Sequence, residues 1–180
     1  MLDDNSKQKV TMNSTMKNST KDSVTDSTTM VGQLAPNIEI NSLSGPLVNL
    51  SKLKGQKIVL YFYPRDNTPG CTTESIEFNN LLPDFKKINC LVYGISRDSV
   101  KSHEKFSSKY RFNFDLLSDE DEKICRHFDV IKEKNMYGKK VFGIERSTFI
   151  FDENGKLVKE YRKIKAEGHA SEILNTVKSI

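Results

Sequence analysis

Tyr61-Phe62-Tyr63-Pro64-Arg65-Asp66-Asn67-Thr68-Pro69-Gly70-Cys71-Thr72-Thr73-Glu74 is the stretch on which the reading of this chain turns. It joins the most apolar short run, Ile58 to Tyr63, to a segment with helical spacing that begins at about Cys71. A loop of Pro, Arg, Asp, Asn, Thr, Pro and Gly lies between them. Buried strand, rigid turn and a cysteine in the first turn of a helix form a chemical device. The helix N-terminus carries partial positive charge and N–H groups without intrahelical partners. A thiolate placed there is stabilised, and the thiolate is the reactive form of cysteine.

Working outward, Ile58 to Tyr63 is apolar on both faces and reads as a central strand. Before it, Asn37 to Asn41 alternates as a short strand, Ser42 to Pro46 is a turn, and Leu47 to Leu50 is a second strand. Ser51 caps a single helical turn that ends before Gly55. After Cys71, the stripe Ile76, Phe78, Leu81, Leu82, Phe85, Ile88 predicts a helix that Pro83 should kink or split near residues 79–82. Leu91 to Ile95 is a buried strand. Asp98 or Ser99 caps a helix through about Tyr110, and Phe112 to Leu117 holds a short strand. Ser118-Asp119-Glu120-Asp121 starts a helix carrying Ile124, Cys125 and Phe128. Lys132, Lys134, Gly138, Lys139 and Lys140 lie in what reads as a polar loop. Ser147 to Asp152 and Lys156 to Tyr161 form a hairpin around Asn154-Gly155, and Ala170 to Val177 is a closing amphipathic helix. Alternation of β and α in the middle implies a parallel core with right-handed crossovers. The expected fold is α/β, thioredoxin-like: a central mixed sheet flanked by helices, with an N-terminal β-hairpin.

The 180 residues suffice for one domain with a real core plus a tail. Residues 1–30 are mostly Ser, Thr, Asn, Lys and Asp and read as a disordered tail, a plain spacer first and a targeting or phosphorylatable segment otherwise. Residues 31–180 read as the domain. The net charge of +4 is scattered, so a solvated surface is expected and nucleic acid is not a partner. No run approaches the roughly 18 apolar residues of a membrane span. The first residues lack the apolar core of a secretory signal, and they carry Asp and no Arg, unlike a transit peptide. The expected compartment is cytoplasmic, with organelle targeting by residues 1–30 left open. Three cysteines, Cys71, Cys90 and Cys125, with no C-x-x-C pair, agree with a reducing compartment. Cys90, at a strand entrance, and Cys125, on the apolar side of a helix, read as small core hydrophobes. His103, His127 and His169 have no metal-site spacing, and Asp66, Asp119 and Asp121 read as turn and cap residues; neither metal nor cofactor is expected.

The segment Pro64 to Glu74 resembles the active-site segment of peroxiredoxins, whose pattern is Pro, three residues, Thr, two residues, Cys. Its flanks are most similar to the bacterioferritin comigratory protein, or peroxiredoxin Q, subfamily. The resemblance runs from about Val31 to the C-terminus and includes Tyr93 to Asp98, Leu117 to Glu120 and Arg146 to Asp152. It implies a thiol peroxidase acting on hydrogen peroxide and organic hydroperoxides. Cys71 would be the peroxidatic cysteine and pass through a sulfenic acid. Thr68 would hydrogen-bond thiolate and peroxide, Pro64 would shield the site, and Arg146 would supply a permanent cation. The N–H groups of Gly70 and Cys71 would complete the donors. Arg65 is an alternative cation.

The pattern also breaks. Subfamily members that carry a resolving cysteine place it five residues after the first, here Ile76, or on the helix after the Ser-Arg-Asp segment, here about Ser107. A one-cysteine mechanism follows, with an external thiol such as thioredoxin, glutaredoxin or glutathione as reductant. Resolution by Cys90 or Cys125 is the alternative. A thiol–disulfide oxidoreductase would need the missing C-x-x-C pair, and a non-enzymatic redox sensor using Cys71 is a third reading. The resemblance implies a monomer or weak dimer.

Overall fold

The computed structural model describes residues 29–180. The tail expected for residues 1–30 lies outside them except for Thr29 and Met30, and Met30 already packs against the core.

The chain runs β1 (Glu39–Ser42), β2 (Val48–Asn49), a 3-10 turn (Leu50–Lys52), β3 (Lys57–Phe62), α1 (Pro69–Lys87) and β4 (Cys90–Ser96). It continues through α2 (Val100–Tyr110), β5 (Asp115–Ser118), α3 (Lys123–His127), β6 (Ile131–Met136) and β7 (Lys139–Ile144). It closes with β8 (Ser147–Phe151), β9 (Leu157–Tyr161) and α4 (His169–Lys178). Seven strands make one sheet in the order β2-β1-β5-β4-β3-β8-β9. β3, β4 and β5 are parallel, whereas β8 pairs antiparallel to β3 and β1 pairs antiparallel to β5. The mixed thioredoxin-like sheet and its N-terminal hairpin are as expected.

β3 is central because both of its faces are apolar. Val59, Tyr61 and the following Tyr63 enter the core layer that holds Phe78, Phe85, Phe106 and Ile173 of α1, α2 and α4. Ile58, Leu60 and Phe62 enter the opposite layer with Ile124 and Cys125 of α3, Phe128 and Phe149. Alternation of side chains along a strand divides the run in this way. Tyr61 stacks on Phe78 with ring centroids 4.5 Å apart, and its hydroxyl shares a 2.8 Å hydrogen bond with Ser75. This ring needs its β4 neighbour, Gly94, to lack a side chain: a Cβ there would come within 2.7 Å of it. The sheet thereby fixes the inner face of α1, on which Cys71 sits.

Two sequence expectations are corrected. α1 is one continuous helix through Pro83, so the expected split does not occur. Pro83 lies on the exposed face while Leu82 and Phe85 are buried, so the missing hydrogen bond falls where solvent reaches the backbone and packing on the other side holds the helix. The expected polar loop with Lys132 to Lys140 is instead the hairpin β6–β7. Its turn, Tyr137-Gly138, has positive φ at both positions, the conformation that suits a tight hairpin. The arm stands apart from the main sheet and is largely exposed, so no alternation of apolar residues announced it.

Candidate active site

The loop after β3 delivers Thr68 as N-cap and Pro69 as first residue of α1, which puts Cys71 at the third helical position. Proline suits the first turn because its missing N–H would have no partner there. The first intrahelical bond is Thr72 N–H to Thr68 O, 2.9 Å. The N–H groups of Gly70 and Cys71 thus precede the helix ladder. Thr68 makes no side-chain cap to them; its hydroxyl donates to Arg65 O at 2.9 Å. The helix start is left open at the cysteine.

Arg146, immediately before β8, meets Cys71 across the fold. Its Nη2 donates to Cys71 Sγ at 3.4 Å and its Nη1 to Glu74 Oε1 at 2.8 Å. Its own carbonyl accepts from Ile164 N–H at 3.2 Å, so both ends of the residue are held. A Cβ at Gly70 would come within 3.1 Å of Nη2, so glycine gives the guanidinium room against the loop. The side chain of Arg146 is 15 % exposed and that of Glu74 fully buried. Burial pushes the Glu74 carboxyl up to about 7, against the pull of Arg146. Its Oε2 is buried without a hydrogen-bond partner. A cleft of about 400 Å³ opens beside this group, lined by Pro69, Gly70, Thr73, Arg146, Ile164 and Lys165.

Glu74 was not singled out from the sequence. An acid in an amphipathic helix reads as solvent-facing, yet Cys71, Glu74 and Phe78 share one face by their spacing of three and four. That spacing was the available signal. Arg65, the alternative cation, is exposed and makes no contact with Cys71 among the hydrogen bonds of the described residues. Pro64 follows β3 directly and is half-buried.

Below the loop lies a second buried charge pair. Asp66 accepts from the Tyr63 hydroxyl at 2.6 Å, from Ser102 Oγ at 2.8 Å, and pairs with His103 Nδ1 at 2.7 Å. His103 Nε2 meets Leu117 O at 2.9 Å. A carbonyl oxygen only accepts, and the Asp66 carboxyl oxygens accept from the hydroxyls beside them, so the setting suits a ring with a proton on each nitrogen. Burial opposes that charge, and Asp66 overcomes it and raises the His103 pKa. Asp66 N–H donates to Asp98 Oδ2 at 2.8 Å. Asp66 is therefore more than a turn residue: it ties the loop to α2, capped by Ser99, and to β4. Asp119 is a cap as expected, accepting from Ile124 N–H at 3.1 Å and Cys125 N–H at 2.7 Å.

The other two thiols are buried without a cation bound to them. Burial pushes Cys90 up to about 12. Burial and the adjacent Asp119 push Cys125 higher still. No helix among the described residues is long and apolar enough to cross a membrane.

Comparison with known proteins agrees with this geometry. Residues 31–160 match the AhpC/TSA family. The chain is 55% identical over 139 residues to peroxiredoxin Bcp of Xanthomonas campestris, covering 77% of this chain and 87% of that protein. It is 45% identical over 150 residues to peroxiredoxin Bcp of Bacillus subtilis, covering 83% and 96%. A solved structure of Xanthomonas campestris peroxiredoxin Q superposes with a TM-score of 0.79 at 48% identity, covering 84% of this chain and 98% of that one. With a cysteine at an open helix start under an arginine, and relatives that align over nearly their whole length, the chain belongs to the AhpC/TSA family and, within it, to the Bcp or peroxiredoxin Q thiol peroxidases.

Proposed function

We propose that Cys71 is the peroxidatic cysteine, that it reduces hydrogen peroxide and organic hydroperoxides, and that an external thiol restores it. The observation that carries this reading is the Arg146 guanidinium donating to Cys71 Sγ at 3.4 Å. A permanent cation favours thiolate over thiol. The thiolate sulfur attacks one peroxide oxygen and forms an S–O bond while the O–O bond breaks. The sulfur is oxidised to sulfenic acid, and the other oxygen leaves as hydroxide or alkoxide and takes a proton from solvent. The N–H groups of Gly70 and Cys71 and the Arg146 guanidinium surround the place where negative charge develops. Thr68 would join them by turning its hydroxyl from Arg65 O to the peroxide, and Pro64 would limit access by water. The 400 Å³ cleft beside Gly70 and Arg146 has room for the carbon chain of an organic hydroperoxide. A study of the Xanthomonas campestris relative concerns its alkyl peroxide reduction activity.

The sulfenic acid then condenses with a first external thiol, releasing water and forming a mixed disulfide. A second thiol displaces Cys71 and leaves as the external disulfide. Three features support an external source. Ile76 and Ser107 stand where relatives with a resolving cysteine place it, Cys90 and Cys125 are buried, and both of their thiols are pushed upward. Thioredoxin, glutaredoxin and glutathione are the candidate donors.

The test is peroxide consumption by wild type, Cys71→Ser, Cys90→Ser and Cys125→Ser with each donor. Loss confined to Cys71→Ser supports the reading. Wild-type oxidation no faster than that of free cysteine sinks the peroxidase assignment. Loss of turnover in Cys90→Ser or Cys125→Ser, with intact single-turnover oxidation, replaces the external donor by an internal one.

A further inference from the structure

Arg146 is shared. One of its nitrogens serves Cys71 and another serves the buried Glu74. With Glu74 ionised, the guanidinium charge is already matched by the carboxylate. Formation of the Cys71 thiolate then leaves the three groups with a net negative charge in a poorly solvated place, and transfer of oxygen adds more negative charge on the leaving oxygen. Arg146 by itself does not neutralise this site.

The hairpin β6–β7 supplies another cation. Lys134 on β6 pairs with Val141 on β7, but its side chain does not project outward with the strand. It lies along Gly143, its Cδ, Cε and Nζ each 3.6 Å from the position of a Cβ there. Its Nζ donates to Ile144 O at 2.7 Å, two residues before Arg146. The neighbouring lysines behave differently: Lys132 pairs with Asp129 at 2.9 Å and Lys140 with Glu133 at 3.6 Å. Lys134 has no carboxylate partner within salt-bridge distance among the described residues. Its ammonium is thus folded back to the root of the hairpin, where β7 runs into Arg146.

We propose that Lys134 is a positioning cation of the peroxidatic site, adding positive charge beside Arg146, whose own charge Glu74 already matches, so that the Cys71 thiolate is compensated. The charged groups around it are Arg146 and Glu145 at the hairpin root, Cys71 from α1, and Arg97 from the loop after β4. Arg97 is itself held to Phe142 O at 3.3 Å and to Glu122 at 3.4 Å. Burial and Arg146 lower the Lys134 pKa, while Glu145 and the Cys71 thiolate raise it, so its charge and those of the site act on one another. Lys134 touches no reacting atom; it acts through the field at Sγ. The inference rests on Cys71 being the reacting thiol and adds a residue that the active-site segment does not contain.

The experiment reads Cys71 without peroxide turnover: iodoacetamide, a neutral probe, is followed at Cys71 as a function of pH in the full chain, with Cys71→Ser identifying the signal. Lys134→Met keeps the aliphatic stem and removes the charge. Near neutral pH its alkylation should be about three- to tenfold slower than wild type, and the two rates should converge at alkaline pH. Lys134→Arg should restore the wild-type profile. In a Glu74→Gln background, which frees the Arg146 charge for Cys71, the effect of Lys134→Met should shrink. Superimposable profiles for wild type and Lys134→Met overturn the proposal. So does a Lys134→Arg variant as slow as Lys134→Met, which would mean packing rather than charge. If Lys134→Met fails to fold, Lys134→Gln carries the same comparison. Peroxide consumption measured alongside separates the two claims: a shifted profile without turnover removes the peroxidase reading and leaves Lys134 in place.

Discussion

Cys71 and Cys125 both sit at the start of a helix and both are almost fully buried, with relative exposures of 1% and 0%. Their surroundings are opposite because of what meets the helix end. At Cys125 the carboxylate of Asp119 takes the N–H groups of Ile124 and Cys125, so the donors are used and the nearest charge is negative. At Cys71 the cap side chain turns away to Arg65 O, and an arginine donates to the sulfur. A helix start favours a thiolate only when its N–H groups stay available and the added charge is positive. Burial does the reverse, as Cys90 shows, and at Cys125 the Asp119 carboxylate adds to it.

The largest expected effect comes from removing the reactive side of this contrast. Cys71→Ser should abolish peroxide-dependent oxidation of the protein, while Cys125→Ser leaves the single-turnover rate within about twofold; stopped-flow oxidation followed by mass spectrometry checks both. Next, Arg146→Met removes the cation and one donor at the developing oxyanion, with an expected loss of about 10²- to 10³-fold in the rate of peroxide reduction. A loss under about threefold would mean that the guanidinium is structural, and the contrast with Cys125 would rest on the open N–H groups alone.

Two carboxylate removals sharpen the comparison through stability. The Glu74 carboxyl is pushed from its ordinary 4.5 up to about 7, so between those values the folded protein binds more protons than the unfolded chain. Its contribution to stability is therefore greatest below about pH 4.5 and falls as pH rises to 7, by up to about 3 kcal/mol. Glu74→Gln should remove that decline, which urea denaturation of both proteins at about pH 5 and pH 8 measures. The buried His169, held down to about 4, gives a slope of opposite sign that is common to both proteins and cancels in the difference. Asp119→Asn weakens two charge-assisted bonds to the α3 backbone and should cost about 1–2 kcal/mol. Cys125 should stay unreactive to thiol reagents in the folded protein, because it remains buried. Rapid alkylation there would show that the carboxylate, rather than burial, keeps it inert. Removing a carboxylate thus relieves one helix start above neutral pH and weakens the other.

Contiguous features were legible in the sequence. β3 is a run apolar on both faces, and Pro69-Gly70 before Cys71 marks a helix start, so strand, loop and cysteine were read within two residues of where they lie. The hairpin β6–β7 reads as a loop because an arm that enters the core only at its root, through Ile131 and Ile144, carries no alternation, although Tyr137-Gly138 forms its turn. Pro83 misled because propensity does not know which side of a helix faces water. Arg146 was reached through family resemblance, since nothing local connects it to a cysteine 75 residues earlier. The partner of His103, Asp66, is 37 residues away, so no local pattern announces the pair.

By itself the sequence determined the secondary elements that pack into the core, the sheet's central strand and the placing of Cys71 in a first helical turn. These depend on periodicity, on the fixed φ of proline and on the freedom of glycine, all of which act over a few residues. Only the tertiary structure decided that Arg146 is divided between Cys71 and Glu74, that Lys134 folds back onto Ile144 O, and that Asp119 closes the helix start at Cys125. The reactivity of a thiol is set by the summed charge, donors and burial around it. Those neighbours come from α1 and from the segment before β8, so no local pattern records the sum.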